Sequence, residues 1–383
     1  MILMKKSSIF IAVLLIVISA LPIYPKQALG VSAQSAILMD QKTGRILFSK
    51  DENTKRRIAS ITKIMTAVLA VESGKLENTV TVSSSAAGTE GSSLYLKAGE
   101  KAKLKDLVYG LMLRSGNDAA MAIAEYIGGS KEGFAYLMNQ KAAQIGMTNT
   151  NFTNPHGLDD SGSHYSTAYD MALLMRYAMQ DPAFKEISGT KVHRAPNPDE
   201  KWDRVWKNKN KLLTSLYEYC TGGKTGYTKL AKRTLVTTAS KEGRDFIAVT
   251  INAPDDWNDH ISMYETAFSK YDLYKIKSKG MLNEAGDVFY KDRVFITRDV
   301  VYPLSDEEKN NLRVQINLQK PDQSWEKPSN VPSVVGSYEV TLDEKLIQKV
   351  PIYYDNGKTE KPAVSFWQSF KQLFFALTGA SYG

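Results

Sequence analysis

Cysteine is nearly absent from this chain: among 383 residues only Cys220 carries a thiol. No intramolecular disulfide can form in any compartment, and Cys220 is expected to pack as a small apolar group. Histidine is scarce as well, with four in all. His156 and His164 stand eight residues apart, which fits no ligand pair on one helical face. No metal site is therefore expected, and His156 reads as a turn residue. No arginine-rich run with interleaved aromatics occurs, which sets nucleic acid aside as a partner. No internal repeat is evident. The formal charge of +8 falls to about +5 once Lys5, Lys6 and Lys26 are set aside, and the excess reads as diffuse. It amounts to a weak bias toward anionic lipids or wall polymers.

What is present is globular in composition, with 43% apolar and 23% charged residues, and long enough for a large domain plus a smaller one. Residues 1–30 have the three parts of a secretory signal: Lys5 and Lys6, the apolar core Ile9 to Leu21, and Ala28-Leu29-Gly30 as a small-residue cleavage region. The apolar core is short for a membrane span. The expectation is export across the cytoplasmic membrane with the signal removed.

The first chemically informative stretch is Ala59-Ser60-Ile61-Thr62-Lys63-Ile64-Met65-Thr66-Ala67-Val68-Leu69. Ile61, Ile64, Met65, Val68 and Leu69 recur at helical spacing, so the spacing predicts a buried helix with Ser60 and Lys63 on one side of its first turns. A hydroxyl attacks a carbonyl only with a base beside it, and an amine serves as that base only when neutral. Bringing a lysine down to about pH 7 costs on the order of 4 kcal/mol, which burial and a second cation can supply. Ser60 and Lys63 are the candidate nucleophile and base.

Further along, Ser35 to Met39 and Ile46 to Ser49 read as strands joined through Lys42-Thr43-Gly44. Leu104, Leu107, Val108, Leu111 and Met112 mark a second helix, broken by Ser115-Gly116-Asn117. Asp118 is expected to cap a third helix ending at Gly128-Gly129. Phe134 to Ile145 and Tyr169 to Met179 are further helices, separated by a turn-rich loop from Thr148 to Asp160. Residues 189–211 are polar and ambiguous. Lys224-Thr225-Gly226-Tyr227 follows on a strand, then Arg233 to Ser240 and Phe246 to Asn252 as a hairpin, then a helix from Trp257 to Tyr274. The pattern after residue 276 is short β segments. In the tail, Phe366, Trp367, Phe370, Leu373, Phe374 and Leu377 share one face of a helix suited to a membrane interface.

Three short motifs stand in order: Ser60-x-x-Lys63, Ser115-Gly-Asn117 and Lys224-Thr-Gly226. Two of them have a poor copy elsewhere in the chain. Ser188-Gly189-Thr190-Lys191 lacks a helix start, and Lys42-Thr43-Gly44 lies in a hairpin turn. The ordered set is the combination of β-lactamases and penicillin-binding proteins.

With Lys55 to Thr66, Leu113 to Ala120, Asn154-Pro155-His156-Gly157-Leu158 and Thr221 to Thr228 taken together, the chain resembles a low-molecular-mass penicillin-binding protein, a serine D-alanyl-D-alanine carboxypeptidase. Within that family it is most similar to the sporulation-type enzymes, which implies a place in cell-wall or spore-cortex maturation. The resemblance implies an α/β (α+β) fold: a β-lactamase/transpeptidase-like domain with an antiparallel five-stranded sheet flanked by helices, a small all-β domain and an amphipathic anchor helix. The expected division is 1–30 signal, 31–275 catalytic domain, 276–354 β domain and 355–383 linker and anchor.

The implied substrate is the peptidoglycan pentapeptide stem, with β-lactams as inhibitors, no cofactor, and the membrane surface as a partner on the extracytoplasmic face. In that scheme Ser60 is acylated, Lys63 takes its proton and Ser115 relays that proton to the leaving amine. Asn117 holds substrate backbone and Lys63, while Lys224 and Thr225 receive the substrate carboxylate. Gly226 leaves room for substrate along the strand, and the Ser60 and Tyr227 amides form the oxyanion hole. Lys209 stands where relatives often carry arginine and is expected to be solvated. A class A-type β-lactamase is the competing enzyme, but the Glu-x-x-Leu-Asn stretch that would activate its deacylating water is missing. A catalytically silent wall-binding scaffold is the non-enzymatic alternative.

Overall fold

The computed structural model describes residues 30–197 and 200–356. The signal segment and the tail helix expected above lie outside the described residues. By chain contacts, the described residues divide into two units. The first comprises 30–38, 48–239 and 247–266; the second comprises 39–47, 240–246 and 267–356.

The strands of the first sheet are β1 (Ser35–Asp40) and β2 (Ile46–Lys50), then, after β3 (Thr79–Thr81), β4 (Lys101–Lys103), β5 (Val192–Ala195) and β6 (Arg204–Lys207), β7 (Cys220–Thr228), β8 (Lys232–Lys241) and β9 (Arg244–Ile251). They line up as β2-β1-β9-β8-β7, an antiparallel sheet that leaves β7 at one edge. β3 pairs with β4 and β5 with β6, each as a separate two-stranded ribbon. The ambiguous stretch 189–211 thus contains the β5–β6 ribbon, its polar turn lying between two strands of only four residues each.

The helices are α1 (Lys63–Glu72), α2 (Ser84–Ala87), α3 (Leu104–Arg114), α4 (Asn117–Gly128), α5 (Lys131–Ile145), α6 (Ala168–Ala178), α7 (Pro182–Gly189) and α8 (Asp256–Lys270). α1 is buried along almost its whole length, with Ile64, Met65, Ala67 and Ala70 fully enclosed, and it packs on α3, α4 and α6. Each large apolar side chain enclosed in this way contributes about 1.5–3 kcal/mol. The helix is therefore held hard against the core, and whatever it carries is held with it.

Three expectations are corrected. The helix expected from Ser60 starts instead with a 3-10 turn, Ala59–Thr62, and becomes α-helical at Lys63. Ala59 takes a left-handed φ of 49°, so an α-helix cannot run through it. Asp118 does not cap α4: the cap position is Gly116, and Asp118 sits in the first turn with its carboxylate turned to another loop. The helix expected to reach Tyr274 ends at Lys270, and β10 (Asp272–Lys277) begins directly after Tyr271.

The second unit holds a five-stranded sheet of β11 (Gly280–Met281), β12 (Val294–Ile296), β14 (Leu312–Leu318), β15 (Val334–Leu342) and β16 (Lys345–Tyr354), in the order β11-β12-β16-β15-β14. β10 pairs with β13 (Val300–Leu304). Leu282, Tyr290, Val294, Val335, Val340 and Ile352 form its core. The β15–β16 hairpin turns through Asp343 and Glu344, both at positive φ, which matches the right-handed twist of the strands it joins.

Candidate active site

The site is assembled on the 3-10 turn before α1. In a 3-10 turn side chains three residues apart eclipse one another. Ser60 and Lys63 meet for this reason: Lys63 Nζ lies 3.0 Å from Ser60 Oγ. Lys63 is fully buried and has two further partners, Asn117 Oδ1 at 2.7 Å and the His156 carbonyl oxygen at 2.7 Å. Neither of these can donate. A neutral amine has two N–H donors and one lone pair. With both donors taken, the lone pair is left facing the Ser60 hydroxyl. Burial is the main force holding the Lys63 ammonium well below the usual lysine range, aided by the charges of Lys224 and then Lys209, with Asp118 opposing. Burial and a second cation act together here, as expected from the sequence, with burial the larger of the two.

Asn117 is aimed by its other end. Its Nδ2 donates to the Glu90 carbonyl at 2.5 Å and its backbone N–H to the Ser92 carbonyl at 2.7 Å, which leaves Oδ1 for Lys63. The loop carrying those carbonyls is fastened one residue further on, where the buried Asp118 carboxylate accepts from Ser93 Oγ and from the backbone N–H groups of Leu94 and Leu96. The Asn154-Pro155-His156-Gly157 stretch forms an Asx turn. Asn154 Oδ1 accepts from the Gly157 N–H at 2.7 Å, so the His156 carbonyl is presented by local chain geometry. His156 is a turn residue as expected, and its carbonyl is a lysine partner, which sequence reasoning missed. Its buried ring is pushed down to about 3 and stays neutral.

The nucleophile turn is clamped from two sides. On the sheet side, Thr234 Oγ1 donates to the Ile58 carbonyl at 3.0 Å. Thr234 stands opposite Gly226 in the β7–β8 register. A Cβ on Gly226 would fall 2.4 Å from Thr234 Oγ1 and 2.9 Å from the Ser60 nitrogen. The glycine is required first by the protein's own turn and only then by any substrate. On the loop side, His164 Nδ1 accepts from the Thr153 N–H, so its Nε2–H is the donor to Thr62 Oγ1 at 2.8 Å. Gly157, at φ 84°, lies where a Cβ would meet the Ala59 carbonyl at 1.9 Å. Burial lowers the His164 ring to about 4, so this clamp is neutral at neutral pH.

Lys224 is buried, and its Nζ donates to Ser115 Oγ at 3.1 Å and to the Thr225 carbonyl at 2.7 Å. Burial and the charge of Lys209 bring it down to about 7. Ser115 takes a left-handed φ of 67° at the end of α3, which turns it out of the helix. It is brought to Lys224, with no hydrogen bond to Ser60 or Lys63. Thr225 is half-buried, and Tyr227 is 63% exposed. Lys209 is exposed as expected, yet its charge bears on both active-site lysines.

The two poor motif copies land elsewhere. Ser188 lies near the end of α7, fully buried, where its Oγ accepts from the Gly223 N–H at 2.9 Å and so holds the start of β7. Thr43 is tied to Asp40 in a turn, and Lys42 is exposed. Cys220 is buried and its thiol is pushed up to about 11, an unreactive packing group. Among the described residues no group of three His, Cys, Asp or Glu side chains is placed to hold a metal ion.

Comparison with known proteins agrees with this geometry. Residues 23–255 match the D-alanyl-D-alanine carboxypeptidase family, and residues 271–360 match the C-terminal domain of penicillin-binding protein 5. The chain is 31% identical over 360 residues to the D-alanyl-D-alanine carboxypeptidase DacF of Bacillus subtilis, covering 88% of this chain and 91% of that one. It is 33% identical over 244 residues to DacB2 of Mycobacterium tuberculosis, covering 62% and 82% of the two chains. The crystal structure of penicillin-binding protein 5 from Haemophilus influenzae superposes with a TM-score of 0.71 at 27% identity, over 85% of this chain and 97% of that one. This chain belongs to the D-alanyl-D-alanine carboxypeptidase family, the penicillin-binding serine hydrolases of peptidoglycan metabolism.

Proposed function

We propose that Ser60 is the nucleophile and Lys63 the base that releases the terminal D-alanine from peptidoglycan pentapeptide stems. The observation that carries this is the arrangement around Lys63 Nζ: buried, with two acceptors that cannot donate, and 3.0 Å from a hydroxyl. As Ser60 Oγ bonds to the carbonyl carbon between the two D-alanines, its proton passes to Lys63 Nζ. The negative charge that develops on the carbonyl oxygen is met by the backbone N–H groups of Ser60 and Tyr227. The carbon–nitrogen bond then breaks, and the leaving amine takes a proton delivered through Ser115. Water hydrolyses the acyl-enzyme. Lys224 and Thr225 hold the terminal carboxylate, Asn117 the substrate backbone, and Gly226 keeps the strand edge low.

Incubation with a pentapeptide ending in D-Ala-D-Ala tests the scheme. D-alanine release by the wild type, none by Ser60→Ala, and a long-lived radiolabelled penicillin adduct on the wild type alone are expected. Release by Ser60→Ala equal to the wild type would end the assignment, and rapid penicillin turnover would move it to a β-lactamase.

We further propose the division 31–275 and 276–354 for the catalytic and β domains, which the two family matches, 23–255 and 271–360, support. Export by residues 1–30 and anchoring by the amphipathic segment 364–377 place the enzyme on the outer face of the cytoplasmic membrane, acting on wall or spore-cortex peptidoglycan. Among the described residues no helix is long and apolar enough to cross a membrane. Deletion of residues 362–383 is expected to free the protein from membranes with activity kept; unchanged fractionation would sink the anchor.

A further inference from the structure

The charge excess that reads as diffuse in the sequence is concentrated on one ribbon. Residues 191–211 hold seven Lys and Arg against three Asp and Glu. That net +4 is half of the whole chain's +8. The β5–β6 register sorts these charges by face. His193 pairs with Trp206 across the ribbon, and both face inward: His193 stacks on Tyr109 at 3.8 Å and its Nε2 lies 2.7 Å from Asp106 Oδ1. The inner end of the ribbon is held by Arg204, whose Nη2 donates to the buried Glu100 carboxylate at 3.0 Å. The opposite face presents Val192 paired with Lys207 and Arg194 paired with Val205. All four are exposed, the valines by 50% and 45%. Among the described residues neither Arg194 nor Lys207 has an ion-pair partner, and neither do exposed Lys191 and Lys211 beside the ribbon. The acidic Glu200 and Asp203 are in the turn beyond the strands.

This outer face runs into the active site. Arg114, the residue before Ser115, donates from Nη1 to the Lys207 carbonyl at 3.2 Å. The Lys209 N–H donates to the Leu113 carbonyl at 3.1 Å, and the Lys209 charge reaches Lys63 and Lys224. Cations without an ion-pair partner among the described residues therefore extend from the segment beside Ser115 out along the ribbon. Aligned charge of one sign at the mouth of a cleft raises the local concentration of an oppositely charged ligand, and salt weakens the effect.

We propose that the outer face of the β5–β6 ribbon is a docking track for polymeric peptidoglycan, binding the free carboxylates of stems that neighbour the one in the cleft. This rests on the carboxypeptidase reading of Ser60 and Lys63, and it adds that the enzyme prefers strands carrying many stems over a lone peptide. The flanking valines lie between the cations and favour the apolar faces of a polymer over a free anion.

The test compares wild type with the triple variant Lys191→Gln/Arg194→Gln/Lys207→Gln on two substrates. These are solubilised multi-stem peptidoglycan strands and a short peptide ending in D-Ala-D-Ala. The variant is expected to lose roughly five- to twenty-fold in kcat/KM on the strands, through KM, with the gap closing at high salt. Its short-peptide turnover and penicillin acylation rate are expected to match the wild type. Equal loss on both substrates, or no loss on strands, overturns the track. Loss of binding to anionic phospholipid vesicles with strand turnover unchanged overturns it in favour of a lipid surface. Failure of the wild type to release D-alanine from the short peptide would count against the carboxypeptidase reading itself, a separate result.

Discussion

Two places in this molecule carry a serine followed three residues later by a lysine. At Ser60 the lysine side chain is enclosed, meets three oxygens and is held well below the usual lysine range by burial and by the charges of Lys224 and Lys209. At Ser188 the lysine, Lys191, is exposed, while the serine itself is enclosed and spends its oxygen on the Gly223 N–H. Ser188 is buried beside β7, whereas Ser60 is half-buried on its 3-10 turn. Of the two, only the Ser60 hydroxyl faces an amine. Reactivity here is a property of what surrounds the side chains, since the spacing is identical.

The sharpest break between the two sites is a pair of alanine substitutions. Ser60→Ala is expected to lower D-alanine release by at least about 10³-fold with thermal stability kept. Ser188→Ala is expected to retain penicillin acylation but lose about 1–3 kcal/mol of stability, because the Gly223 N–H is left buried without a partner. Thermal melting and adduct counting on both variants measure the contrast; loss of acylation without loss of stability in Ser188→Ala would erase it.

Next in size is Lys63→Met, which keeps an apolar core side chain but removes the base. Acylation by penicillin is expected to slow by about 10²–10⁴-fold. The wild-type pH profile sharpens the same point. Burial and the charges of Lys224 and Lys209 hold Lys63 well below the usual lysine range, and falling pH protonates it and so removes the base. Rising pH through about 7 discharges Lys224 and weakens the hold on the substrate carboxylate. The kcat/KM profile is therefore expected to be bell-shaped, with its alkaline limb beginning near neutrality.

Thr234→Val tests the clamp on the nucleophile turn. Loss of the donor to the Ile58 carbonyl is expected to cost about 1.4 kcal/mol of transition-state stabilisation, roughly tenfold in kcat with KM little changed, and Thr234→Ser is expected to restore it. An equal fall in all binding and turnover constants would assign Thr234 to general stability instead. The smallest effect is expected from Lys209→Ala. Removing that cation raises the values of both Lys63 and Lys224, so both limbs of the pH profile move to higher pH, by on the order of a few tenths of a unit. A shift to lower pH would contradict the electrostatic role given to Lys209.

Much of this was legible in the linear chain because it is local. Apolar spacing located α1 and α3, Gly-rich punctuation located their ends, and the three motifs named Ser60, Lys63, Ser115, Asn117 and Lys224 as residues to bring together. The missing parts are non-local or carried by backbone atoms. The His156 carbonyl has no side-chain signature, and only the Asn-Pro at 154–155 with Gly157 after it hints at the turn that presents it. Thr234 is one threonine among several on β8, distinguished only by its register opposite Gly226. The 3-10 turn at Ala59–Thr62 reads as helix in the sequence because its apolar spacing continues into α1. The charge on residues 191–211 reads as spread out because only strand pairing separates the His193 face from the Arg194 face.

By itself the sequence determined where the longer helices and the strands of the first sheet fall and that a hydroxyl and an amine stand three residues apart, since periodicity and short-range spacing are set by the covalent chain. Tertiary structure alone decided that the Lys63 amine is enclosed and held well below the usual lysine range while Lys191 stays exposed. Desolvation and the three oxygens around Lys63 come from segments 54 and 93 residues away along the chain as well as from its own turn, and only folding brings them within hydrogen-bond reach.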